Sequence, residues 1–194
     1  RLDESALRRA IAALAERHPV LRTTYYDRDG EPRQRVHAEL PAEITVVDCP
    51  AELADSRLAE AAHRPFDLVD GPIVRVLVLR RGPEESLLLL ATHHIVMDFW
   101  SVGLLVTELA ETYAAARRGR AAELPAIEAG HLDHVAADAA LVAGPVGAAQ
   151  LDHWRTALAG PLPVLDLPVA QARPPVQTYD GAAHTFAVPE ELAG

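Results

Sequence analysis

The chain has 194 residues, 49% of them hydrophobic and 24% charged, with a formal net charge of −10. That length suffices for one compact domain with its own core, and the composition is that of folded protein rather than disorder. The negative balance argues against a nucleic-acid surface, and arginine pairs such as Arg8-Arg9 and Arg117-Arg118 read as solvated positions.

No apolar run reaches the length of a membrane span, and no charged-then-apolar leader opens the chain. A cytoplasmic location without membrane contact is the expectation. The sequence has no lysine, which removes P-loop, kinase and Schiff-base chemistry. Neither GxSxG nor GxGxxG occurs, and Cys49 has no CxxC partner, so it reads as a small semi-buried thiol. Histidine and carboxylate chemistry remains.

In chain order, residues 3–17 predict an amphipathic helix. Asp3 or Ser5 can cap it, Leu7, Ala10, Ile11 and Leu14 share a face, and His18-Pro19 ends it. A hairpin follows, from Leu21–Tyr26 through the turn Asp27-Arg28-Asp29-Gly30 to Arg33–His37. Ile44–Val47 predicts a strand and residues 51–63 a helix. Ile73–Leu79 and Ser86–Thr92 predict two strands joined by a turn at Gly82-Pro83. Leu87–Leu90 lacks alternation, so burial on both faces is expected there. Ser101 reads as the N-cap of a helix whose face is Val102, Leu105, Val106, Leu109 and Tyr113, stopped at Gly119. Residues 125–160 predict helix with a break at Gly144-Pro145, followed by a proline-rich extended stretch to Pro175 and a last strand over 183–188. The expected class is α/β in the broad sense, α+β with a mixed sheet flanked by helices.

The chemistry concentrates at His93-His94-Ile95-Val96-Met97-Asp98. A strand delivers two adjacent histidines to a loop, and neighbours on extended backbone point to opposite sides. One histidine can face a cavity while the other packs inward. Asp98 lies in the connection before a helix, whose N-terminus offers a positive dipole end and N–H groups. Such a site suits proton movement by histidine beside a developing oxyanion. Paired histidines are also often structural, and the residues alone leave both readings open.

Thr92 to Ser101 resembles the HHxxxDxxS signature of condensation domains of nonribosomal peptide synthetases. Arg17-His18-Pro19-Val20-Leu21-Arg22-Thr23-Thr24-Tyr25 resembles the family's RHxxLRTxF segment. Trp154, Leu158-Ala159-Gly160, Leu165-Asp166-Leu167-Pro168 and Tyr179-Asp180-Gly181 resemble the stretch that closes its N-terminal lobe. The resemblance implies a chloramphenicol-acetyltransferase-like lobe over residues 1–194, slightly truncated at its start and without the C-terminal lobe. It implies amide formation between a donor thioester and an acceptor amine. Both substrates are held on carrier proteins by phosphopantetheine, so no cofactor is bound by this chain. The implied partners are the donor and acceptor carrier proteins and the missing lobe.

By the same resemblance His94 is catalytic, as general base or as a group that positions the amine. His93 is the inward, structural histidine. Asp98 is structural and pairs with an arginine, for which Arg22 is the choice. Phe99, Trp100 and Ser101 are candidates for the substrate channel. Phe99 stands where the family usually has glycine, and such a DFWS variant hints at a polyketide-type or acyl donor. The competing readings are an epimerisation-type relative and a non-catalytic docking or recruitment domain. In the epimerisation relative the tryptophan follows the serine, whereas here Trp100 precedes Ser101. His131, His134 and Asp138 could share a helix face, but exposed helix histidines are commoner than zinc sites, and no metal is expected.

Overall fold

The computed structural model describes residues 1–165, 168, 174–176, 178 and 181–193. The chain divides into two compact units, residues 1–146 and residues 147–194.

The first unit opens with helix α1, Glu4–Arg17, capped by Asp3, whose carboxylate accepts the Ala6 N–H at 2.9 Å. Glu4 at its start and Arg17 at its end complement the helix dipole. His18 ends it, and Pro19 begins a short 3-10 turn over Pro19–Arg22. The sequence predicts strand from Leu21. The ring-fixed φ of Pro19 suits a helical turn instead, and the strand starts two residues later. Strands β1 (Thr23–Arg28) and β2 (Glu31–Val36) form an antiparallel hairpin. Its tip is only Asp29-Gly30, at φ +57° and +82°. Those two left-handed residues give the tight turn that matches strand twist.

Strands β3 (Glu43–Asp48), β4 (Val74–Arg80) and β5 (Ser86–Thr92) form a second sheet in the order β3-β4-β5. β3 and β4 are parallel, joined through helix α2 (Ala54–His63), and β5 returns antiparallel. Helix α3, Phe99–Arg117, follows the histidine motif. Alternate residues of β4 then sort into two cores. Val74, Val76 and Val78 meet Leu7, Ile11 and Leu14 of α1 and Leu105 and Leu109 of α3. Leu77 and Leu79 pack with Cys49, Ala54 and Leu58 on the α2 side. The central strand is therefore the one buried on both faces, and each fully buried Val or Leu there contributes roughly 1.5–3 kcal/mol. The expected full burial of Leu87–Leu90 does not hold. β5 is an edge strand, and Leu88 stays 43% exposed.

Helix α3 differs from its predicted face. Leu105 and Leu109 are buried, but Val102 and Val106 are exposed, and Glu108, Thr112 and Ala115 face inward instead. Tyr113 is half-buried, and its hydroxyl accepts the Asp3 N–H at 2.9 Å. Gly119 closes the helix at φ +68°. Helices α4 (His131–Ala143) and α5 (Pro145–Ala157) flank the break at Gly144, while residues 125–130 are not helical.

In the second unit, residues 183–188 form no strand. A strand needs a hydrogen-bonded neighbour, and among the described residues none pairs with it. A short helix α6 spans Glu190–Ala193. Of the segment that resembles a lobe closure, Asp166, Leu167, Tyr179 and Asp180 lie outside the described residues, as does part of the predicted extended stretch to Pro175. Among the described residues no helix is long and apolar enough to cross a membrane.

Candidate active site

Strand β5 ends at Thr92, and the next residues turn sharply. The His93 carbonyl accepts the Val96 N–H at 3.1 Å, and His93 Nδ1 accepts the Ile95 N–H at 3.0 Å. Val96 and Met97 are buried in the main core and anchor the far side of this turn. His94 sits on the turn with its side chain exposed, and His93 is half-buried, its ring edge-on to Phe66 at 6.3 Å between centroids. His94 is thus the more exposed of the two histidines. An exposed imidazole on an anchored turn can accept, donate or hold a proton on an incoming amine.

Asp98 is the N-cap of α3, not Ser101. Its Oδ1 accepts both the Ser101 N–H, at 2.8 Å, and the Ser101 hydroxyl, at 2.7 Å. The hydroxyl bond first and then the backbone N–H hold the carboxyl below its usual range, and the nearby charge of His94 pulls the same way. One N–H of the helix start is therefore already committed to Asp98, and this part of the helix end does not serve an oxyanion as the sequence suggested.

The ion pair expected between Arg22 and Asp98 is not formed. The Arg22 guanidinium donates to the carbonyls of Ala15, at 3.2 Å, and His37. The helix end offers Asp98 two donors at close range, and Arg22, on the 3-10 turn, is held by backbone instead. Phe99 and Trp100 are 92% and 87% exposed, beside the turn that carries His94.

Two groupings escaped the sequence reading. Glu108, only 5% exposed, takes Arg17 through both Nε and Nη2 at 3.1–3.2 Å and lies 2.6 Å from His18 Nε2. The Arg17-His18 pair thereby ties the end of α1 to the middle of α3. Its signal in the sequence is a glutamate beside Leu109 on the apolar face of a helix. The other is Arg75, buried in β4, which donates to the carbonyls of Ala61, Arg64 and Pro65 at 2.9–3.2 Å. Its signal is an arginine inside an apolar strand.

Other histidines find local partners. His37 Nε2 lies 2.7 Å from the Thr24 hydroxyl, and His63 Nδ1 lies 2.8 Å from the Ala59 carbonyl oxygen. The rings of His153 and Trp154 meet edge-on, and His184 stacks on Phe186. Cys49 is buried, as expected of a packing thiol. His131 and His134 both lie on α4. Among the described residues no group of three or more potential ligands is placed to hold a metal.

The fold and this histidine turn agree with the comparisons to known proteins. Residues 1–194 match the Condensation domain family, and the chain belongs to that family. It is 39% identical over 198 residues to one of the linear gramicidin synthase proteins of Brevibacillus parabrevis, covering 98% of this chain and 4% of that protein. It is 40% identical over 195 residues to a phosphinothricin tripeptide synthetase of Streptomyces viridochromogenes, covering 96% and 18%. The X-domain solved in complex with OxyB from teicoplanin biosynthesis superposes with a TM-score of 0.82 at 31% identity, covering 90% of this chain and 39% of that one. The chain thus spans a small part of these synthetases and under half of the X-domain chain. The chloramphenicol-acetyltransferase-like α+β fold expected from the sequence is the fold of these neighbours.

Proposed function

We propose that this chain is the histidine-bearing lobe of a condensation domain, forming an amide between two carrier-bound substrates. The observation that carries this reading is the exposed imidazole of His94 on an anchored turn, in a chain that matches the family along its whole length. The acceptor's amine nitrogen attacks the donor's thioester carbonyl. The C–N bond forms, the C–S bond breaks, the amine gives up a proton and the donor's phosphopantetheine leaves as a thiol. His94 receives or steers that proton. Phosphopantetheine arrives on the donor and acceptor carrier proteins. Phe99 and Trp100 flank the approach to His94 and shape it for the donor. A second lobe, the counterpart of the part of the structural relatives that this chain does not cover, closes the site from the other side and excludes water.

The test is an amide-formation assay in the full synthetase module with two loaded carrier proteins, read by mass spectrometry of the acceptor carrier. Transfer of the acyl group to the acceptor amine supports the reading, and its absence with every acceptor tried refutes it. A second reading, a docking domain, draws on the likeness to the X-domain, which is solved with OxyB as its partner. Binding of a tailoring protein without any condensation would favour it.

A further inference from the structure

Arg75 and Phe66 form a chain of contacts that ends at the turn bearing His94. Arg75 lies on β4 opposite Ala91, two residues before His93. Three carbonyls at the end of α2 fix its guanidinium, and Glu43 lies 3.6 Å from its Nε. That guanidinium sits over the Phe66 ring, 4.3 Å from the centroid, the geometry of a cation–π contact. The Phe66 ring in turn meets the His93 imidazole edge-on, at 6.3 Å and 87°. His93 Nδ1 accepts the Ile95 N–H at 3.0 Å, so in that bond Nδ1 carries no proton and the neutral ring has its proton on Nε2. The imidazole's orientation thus decides whether the Ile95 N–H keeps its acceptor, beside the backbone bond from the Val96 N–H to the His93 carbonyl.

We propose that Phe66, held in place by Arg75, is a positioning residue that sets the His93 ring and through it the turn that presents His94. Its effect on rate rests on the reaction proposed above, while its effect on the turn does not. Removing the aromatic ring frees the His93 imidazole to rotate, the Ile95 N–H loses its acceptor, and His94 samples more than one orientation. The change then falls on kcat and leaves KM as it was.

The experiment uses the intact synthetase module with Phe66→Leu, which keeps apolar volume without a ring, and Phe66→Tyr, which keeps the ring. Hydrogen exchange is read on peptides covering residues 93–97, with α1 and β4 as controls for folding. In Phe66→Leu, exchange over 93–97 should speed by about tenfold or more while the controls stay protected, kcat should fall about tenfold, and KM for either carrier should hold. Phe66→Tyr should restore both. Unchanged exchange over 93–97 in Phe66→Leu overturns the proposal, as does a loosened turn with unchanged kcat in an active module. If the wild-type module forms no amide, the reaction reading fails, and the exchange arm still decides the positioning role. Should Phe66→Leu unfold, Phe66→Met serves in its place with the same readouts.

Discussion

Asp98 and Ser101 are joined twice, by the serine's backbone N–H at 2.8 Å and by its hydroxyl at 2.7 Å. The carboxylate caps α3 and ties the loop after His94 to the helix start. The hydroxyl is the first cause of the lowered Asp98 pKa, ahead of the backbone N–H and of the charge on His94. Ser101→Ala should therefore raise the Asp98 pKa towards the ordinary value of about 3.9, and His94→Ala should raise it less. The sign follows from linkage. A depressed pKa means the cap stabilises above the unfolded carboxyl's titration and fades as pH falls through the folded one. NMR titration of the Asp98 carboxyl carbon reads both variants, and a larger rise in His94→Ala than in Ser101→Ala contradicts this account.

His94 carries the proposed chemistry and is exposed on its turn. In the full synthetase, His94→Ala should cut amide formation by about 100-fold or more. The thermal unfolding curve should hardly move. Near wild-type turnover would remove the catalytic role.

Glu108 has the opposite character. Burial alone would push its pKa up, but hydrogen bonds from Arg17 and His18, with their charges, more than offset this and hold it down. Glu108→Ala leaves the Arg17 guanidinium only the Pro125 carbonyl, at a cost of about 3 kcal/mol, the low end for a broken buried pair because Arg17 and His18 keep some water access. Because the folded pKa lies below the unfolded one, the stability from Glu108 is present above an unfolded value of about 4.3 and is lost on acidification through the folded value. Urea titrations at pH 7 and at pH 3 should show a smaller gap between wild type and Glu108→Gln at the lower pH. A gap that widens on acidification would show the pair has been misread.

Phe99 projects almost wholly into solvent at the start of α3. If the ring lines the donor's path, Phe99→Gly should change the ratio of kcat/KM between two acyl donors by severalfold and leave acceptor preference intact. Competition assays with paired donor carriers measure this. Equal change for donors and acceptors counts against a donor role.

Phe99, Val102 and Val106, spaced i, i+3 and i+7, add exposed apolar surface along one side of the same helix. Contiguous apolar surface of this kind marks an interaction site. Residues 1–194 alone should self-associate at micromolar concentration and form no amide, and the second lobe added in trans should restore activity. Sedimentation velocity and the amide assay check the two halves, and a monomer with robust condensation would sink the two-lobe proposal.

The sequence by itself determined the order of elements from α1 to α5, because helical and strand periods and the stops at Pro19 and Gly119 are local properties. It also located the histidine pair at the end of a strand, but the exposure of His94 comes from the turn over residues 94–96, which alternation along an extended segment does not describe. Tertiary structure decided the rest. Leu87–Leu90 reads as a buried strand, yet β5 is an edge, and edges are set by which strands pair. Ser101 and Asp98 can each cap a helix, and the competition was settled by where the loop delivered a carboxylate. Arg22 could have met Asp98, but carbonyls of Ala15 and His37 lay nearer. The union of Glu108 with Arg17 and His18 spans some ninety residues of sequence. No local pattern records such a pair, because its stability comes from burial that exists only once α1 and α3 have packed.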